Sequence, residues 1–242
     1  MKLFHSETNF KNRLSIFLKR SEKESIRYIL NVIRIVFNYL FKDLRPKKFS
    51  FQKKEYNYFI HPYNHTWANE RAIEVPLIMD KISRLPDKSE ILEIGNVLTH
   101  YYPIKHDVVD KYENGKNVIN EDVVSFNPKK RYDFIFGIST IEHVGWDEIP
   151  KDPLKIPAAI RNLRKLLKEN GEIVITVPVG YNPHLDKLIK DRSNFYKSFF
   201  LKRGLFNLWK QVRWDQVKDS DFNEDARGLA VLIIKKNNNR RS

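Results

Sequence analysis

Two short runs hold most of the side chains suited to chemistry. In ILEIGNVLTHYY (91–102) the acidic Glu93 is followed by Gly95 and Asn96. An apolar run entering a glycine turn suits a strand end where backbone must approach a ligand closely. In YDFIFGISTIEHV (132–144) a second apolar run leads into Ser139, Glu142 and His143. A histidine in that position suits general-base work, because its ordinary pKa lies near neutrality. It equally suits a structural hydrogen bond at a helix start. Between the runs, Asp110 stands seventeen residues after Glu93, and Asn120, Glu121 and Asp122 form a polar triplet.

A third group precedes them: Tyr63, Asn64, His65, Thr66, Trp67, Asn69, Glu70 and Arg71. Aromatic and hydrogen-bonding side chains at this density suit a binding surface. Thr66 serves equally well as a helix N-cap, with Trp67 in the core. The segment GYNPHLD (180–186) offers Tyr181, Asn182 and His184 to an acceptor pocket. His61 and His65 are four apart without an evident third ligand, so no metal is expected.

The elements that must position these groups alternate. A helical stretch, TWANERAIEVPLIMDKISRL (66–85), is interrupted by Pro76, which predicts a kink or a division. Short apolar runs follow at 90–95, 106–110, 117–119 and 132–138. A helix is then expected over IPAAIRNLRKLLKENG (156–171), stopped by Asn170–Gly171. EIVITVPVG (172–180) and GLAVLIIKK (228–236) read as strands. Strands alternating with helices predict a doubly wound, mostly parallel α/β sheet, with ligands at the carboxyl ends of its strands.

In this order the runs resemble class I S-adenosylmethionine (SAM) methyltransferases of the small-molecule branch. Glu93–Gly95 matches the first motif, Asp110 the second strand end, and Asn120–Asp122 the third. The runs YDFIFGISTIEHV and LLKENGEIVITVP match the fourth strand and the helix–turn–strand that follows it. The likeness implies a Rossmann-like sheet of seven strands and SAM as cofactor. It implies Glu93, Gly95 and Asn96 near the methionine end, Asp110 on the ribose hydroxyls, and one of Asn120, Glu121 and Asp122 on the adenine amino group. A small-molecule or saccharide acceptor would meet Tyr63, His65, Trp67, Arg71, Ser139, Glu142, Tyr181 and Asn182, with His143 as the base. NHTWANER, GNVLTHY, DVVDKYE and EHVGWDE look most like methyltransferase-like proteins of bacterial surface-polysaccharide gene clusters. The chain departs from the family where Val97 and Thr99 replace later glycines. A β-branched residue at positive φ costs about 1–3 kcal/mol, so the turn must take another path.

The chain has 242 residues, no cysteine and a net charge of +14. Disulfides and thiolate metal sites are excluded, and a cytoplasmic location is expected. Residues 1–50 hold 12 Lys/Arg against 4 Asp/Glu, so +8 of the charge lies there. No nucleic-acid module accompanies that charge, and no specific nucleic acid is expected. Residues 1–62 read as a basic helical extension and 63–242 as the methyltransferase-like domain. Within the extension, residues 26–41 carry a polar stripe of Arg27, Asn31, Arg34 and Asn38; the remaining positions are apolar. Sixteen residues span about 24 Å, short of a bilayer core of about 30 Å. Two uses are open for the apolar face. It packs on the domain or a second subunit, or it lies on an anionic membrane beside Lys19, Arg20, Lys42, Arg45, Lys47 and Lys48.

Overall fold

The structure is a computed structural model that describes residues 22–222 and 225–236. Its centre is an eight-stranded sheet in the order β5-β4-β3-β6-β7-β10-β8-β9. The strands are β3 (Ile91–Ile94), β4 (Asp107–Val109), β5 (Val118–Ile119), β6 (Tyr132–Ile138), β7 (Leu167–Val179), β8 (Lys197–Arg203), β9 (Trp209–Val212) and β10 (Gly228–Lys235). The pairs from β5 to β7 are parallel, and those from β7 to β9 antiparallel. The doubly wound order is therefore as expected, with eight strands in place of seven. The additional edge strand β9 comes from WKQV, whose exposed lysine and glutamine gave no apolar run to recognise.

β6 is buried along almost its whole length, as a strand covered on both faces must be. Helix α3 (Lys155–Leu166) puts Ile156, Ile160 and Leu163 on one face of the sheet. Helix α2 (Arg71–Ile82) puts Ile73, Leu77 and Ile78 on the other. α3 stops earlier than the sequence predicts. Leu167 is extended and pairs with Tyr132, so β7 begins before Asn170–Gly171. Burial of Leu167 in the core outweighs the helical propensity of KEN at that point.

α2 runs through Pro76 without dividing. A proline leaves the carbonyl four residues earlier without its helical donor. Here that carbonyl, on Ala72, accepts from Phe59 N at 2.8 Å. Phe59 follows a two-stranded hairpin, β1 (Lys48–Phe51) and β2 (Lys54–Asn57), whose Phe49 and Phe51 join the core. Before it lies helix α1 (Glu22–Leu40). The expected contacts of Lys19 and Arg20 lie outside the described residues.

After β7 the chain enters α4 (Pro183–Asp191); Asn182 Oδ1 caps it by accepting from His184 N and Leu185 N. Burial lifts the Asp186 carboxyl to about 6 from 3.8, although Gly180 N donates to it at 3.1 Å. A raised carboxyl pKa means the folded chain binds more protons than the unfolded one between those values. Its contribution is present below about pH 4 and is lost as pH rises through about 6. Urea unfolding at about pH 4 and about pH 7 should show Asp186→Asn gaining on the parent at the higher pH. An unchanged difference between the two proteins would refute this.

Candidate active site

A cleft of about 420 Å³ opens beyond the carboxyl ends of β3, β4 and β6. It sits where the chain, having run outward through β4 and β5, returns to lay β6 beside β3. This is the switch point at which open α/β sheets bind ligands. Gly95, Asn96, Asp110, Glu121, Asp122, Ser139 and His143 line it. Thr140, Lys111, Asp147 and Glu148 line it too, and sequence reading passed over them.

Glu93 supports the turn from below. It is fully buried; Oε1 accepts from Val97 N and Leu98 N at 2.9 and 2.8 Å, and Oε2 lies 2.8 Å from His106 Nε2. Its carboxylate is spent on the protein, which corrects its expected place against the cofactor. The turn then needs positive φ only at Gly95, at +82°. Val97 is right-handed and leads into a short 3₁₀ turn, Leu98–His100. The bulky replacements are accommodated by this alternative path.

Asp110 holds the wall. Its Oδ2 accepts from Asn96 N at 3.1 Å, and Oδ1 from Tyr112 N and Glu113 N at 2.8 and 2.7 Å. A carboxylate has about four acceptor positions, which leaves capacity for one further donor. Asn120 is placed elsewhere. Its amide donates to the Asp110 and Glu113 carbonyls and the side chain stays outside the cleft, which corrects the expected ligand role. Asp122 accepts from Lys111 Nζ at 3.0 Å and Lys155 Nζ at 3.3 Å, and both lysines also pair with Glu148. Burial pushes the Asp122 carboxyl up. The Val124 N–H and the two ammoniums outweigh it and hold the group below the usual range.

At the opposite end His143 is about half exposed, its Nδ1 2.6 Å from Asp147 Oδ2. Tyr181 donates its hydroxyl to the same oxygen at 2.7 Å. A carboxylate at Nδ1 favours the tautomer protonated there and leaves Nε2 able to accept a proton. Burial, then the hydrogen bond to Asp147, pushes the Tyr181 phenol up, so it stays protonated at neutral pH.

Beside His143 the interior is acidic. Ser139, at φ +38°, donates to Glu74 Oε1 at 2.6 Å, and Arg71 donates to Glu74 Oε2. Glu142 is buried, and its Oε2 has no hydrogen-bond partner among the described residues. Burial, reinforced by the charges of Glu74 and Glu70, lifts its carboxyl well above the ordinary range. Asn182 is buried as well and donates to the Glu142 carbonyl at 2.9 Å, so it braces the site from behind.

The aromatic cluster divides. Tyr63 stacks on His100 at 4.5 Å, at the rim of the β3 turn. Trp67 is buried and donates through Nε1 to the Ile35 carbonyl, and His65 packs against its ring. Both therefore face α1 and not the cleft, which corrects their expected acceptor role. The fully polar stripe of α1, which demands partners, was the available signal for this.

No protein-family model and no curated protein matches the sequence. Among solved structures the chain is similar to N-methyltransferase NodS from Bradyrhizobium japonicum WM9 in complex with S-adenosyl-l-homocysteine (TM-score 0.42, 12% identity, covering 69% of this chain and 93% of that one). It is also similar to a SAM-dependent methyltransferase from Thermotoga maritima (TM-score 0.45, 15% identity, 74% and 96% covered). A third is the sugar N-methyltransferase KedS8 from Streptoalloteichus sp ATCC 53650 (TM-score 0.35, 13% identity, 55% and 60% covered).

Proposed function

We propose that the cleft binds SAM and that the protein transfers its methyl group to a small-molecule or saccharide acceptor. The observation that supports this best is the Gly95 turn facing Asp110 and Asp122 across one switch-point cavity. At Gly95 an added Cβ would fall within contact distance of Thr140 Oγ1 and 2.7 Å from its Cγ2, so the turn is shaped around a missing side chain. In this reading Asp110 accepts from the ribose and Asp122 or Glu121 from the adenine amino group. Gly95 and Asn96 border the methionine end. Bound there, SAM would supply an electrophilic methyl carbon whose bond to sulfur breaks as the acceptor's lone pair attacks. His143 Nε2 takes the proton released by the acceptor, and Asp147 at Nδ1 stabilises the resulting imidazolium. Tyr181 and Arg71 border the acceptor.

Calorimetry with S-adenosylhomocysteine, the product of that transfer, tests the reading. Micromolar affinity is expected. No heat at millimolar ligand would reject it and leave the fold as an interaction module. Asp110→Ala should weaken the complex about 10- to 100-fold, the scale of one lost charged hydrogen bond and a loosened wall. An affinity equal to the parent's would remove Asp110 from the site.

A further inference from the structure

Helix α1 is inverted relative to an ordinary surface helix, which buries its apolar stripe and exposes its polar one. Among its described side chains, the polar Asn31, Arg34 and Asn38 lie on the face toward the protein. Arg34 donates to the Ala68 carbonyl at 2.6 Å and to Asn31 Oδ1 at 2.6 Å, and it pairs with Asp225. Asn38 is buried and donates to the Arg34 carbonyl at 2.9 Å. The opposite face leaves Ile29, Leu30, Ile33, Val36, Phe37 and Leu40 exposed, Leu40 at 67%. The expectation that this face packs on the catalytic domain is therefore corrected: the polar stripe takes that contact.

The apolar surface continues beyond the helix. Phe206 stacks on Phe37 at 5.5 Å, and Leu44 and Leu205 are exposed at 80% and 82%. Isolated exposed apolar residues are ordinary, but a contiguous patch of this kind marks an interaction site. A basic groove lies alongside. Arg45 is turned inward, donating to the Trp67 and Phe206 carbonyls, and so it does not meet solvent as the sequence suggested. The chain on either side of that bond, Pro46 and Leu208, lines a groove of about 390 Å³ with Lys48, Lys53 and Lys210.

We infer that this face docks on the surface of an anionic bilayer, with α1 lying in the interface and the lysine groove taking lipid headgroups. Charge decides the occupant. Lys48 pairs with Glu55 at 3.2 Å, which leaves the groove cationic through Lys53 and Lys210; a second copy would bring like charge toward them, whereas an anionic leaflet supplies the opposite charge. No helix among the described residues is long and apolar enough to cross a membrane. A helix with one broad apolar face and cations at its margin lies flat in the headgroup region. The inference does not depend on methyl transfer.

Flotation of the full chain with vesicles tests it, using phosphatidylcholine alone or mixed equally with phosphatidylglycerol. The parent should float with the mixed vesicles. Leu30→Glu/Ile33→Glu/Leu40→Glu alters only exposed positions and should lower that partition at least about tenfold. Lys48→Gln/Lys53→Gln/Lys210→Gln should lower it roughly fivefold per lysine on mixed vesicles while leaving phosphatidylcholine binding unchanged. Thermal midpoints equal to the parent's establish that both variants fold, whatever the result with S-adenosylhomocysteine. Failure of the parent to float, or equal flotation of all three proteins, would overturn the inference. So would a dimer in sedimentation velocity that the glutamate variant disperses, which would make a second copy the occupant.

Discussion

Gly95→Ala should cost the cleft at least about a hundredfold in affinity for S-adenosylhomocysteine, the largest binding effect expected of any single methyl in the chain. Two penalties add. An alanine at φ +82° enters a region that L side chains avoid, at about 1–3 kcal/mol. Its Cβ would also overlap Thr140, coming within 2.7 Å of Cγ2. Thr140 is not free to swing away, because its hydroxyl donates to the Ile138 carbonyl at 3.1 Å. The turn must shift, taking Asn96 N off Asp110 and spoiling both walls at once. Calorimetry reads the loss. The double variant Gly95→Ala/Thr140→Ala should recover part of it by relieving the overlap with Oγ1 and Cγ2, while Cβ stays 3.0 Å away and the backbone strain remains. Parent-like affinity in the single variant would show that the turn does not shape the ligand site.

Glu93→Ala should carry the largest stability cost. Removing the carboxylate strands the N–H groups of Val97 and Leu98 and leaves the nearly buried His106 ring without its partner. Buried groups left without partners cost about 1–3 kcal/mol each, and breaking a buried charged cluster about 3–5 kcal/mol in all. For a chain of this size that lowers the melting midpoint by roughly 10 °C. Glu93→Gln should retain most of the stability. Its amide oxygen still accepts from both backbone donors, and its NH₂ meets His106 once the imidazole presents an unprotonated Nε2. A Glu93→Ala melt within about 2 °C of the parent would show that the turn holds itself without this brace.

These expectations indicate what could be read from the sequence and what could not. β6 occupies 132–138, as its mainly apolar run required, because a strand buried on both faces has little freedom in composition. The cleft residues after β3, β4 and β6 were singled out by the resemblance together with the general rule that ligands sit beyond the carboxyl ends of such strands. Glu93 and Asn120 were less legible. Both are polar residues near strand ends, and only the direction of each side chain separates a group facing ligand from one satisfying backbone. β8 and β9 were missed because KSFFLKR carries charge at both ends of a short apolar centre and WKQV, at the sheet edge, exposes its lysine and glutamine. The stripe on α1 was visible at once. Periodicity reveals that a helix has two faces but is silent on which one the rest of the protein takes, and here the Ala68 carbonyl accepts from Arg34 of the polar stripe.

The position of β10 has a consequence for biosynthesis. Residues 228–235 fill the gap between β7 and β8, pairing with both. Until that segment is made, the inner edges of β7 and β8 have no partner. Open edges of this kind recruit strands from other chains. A product truncated ahead of residue 228 would therefore keep both edges open and be prone to aggregate.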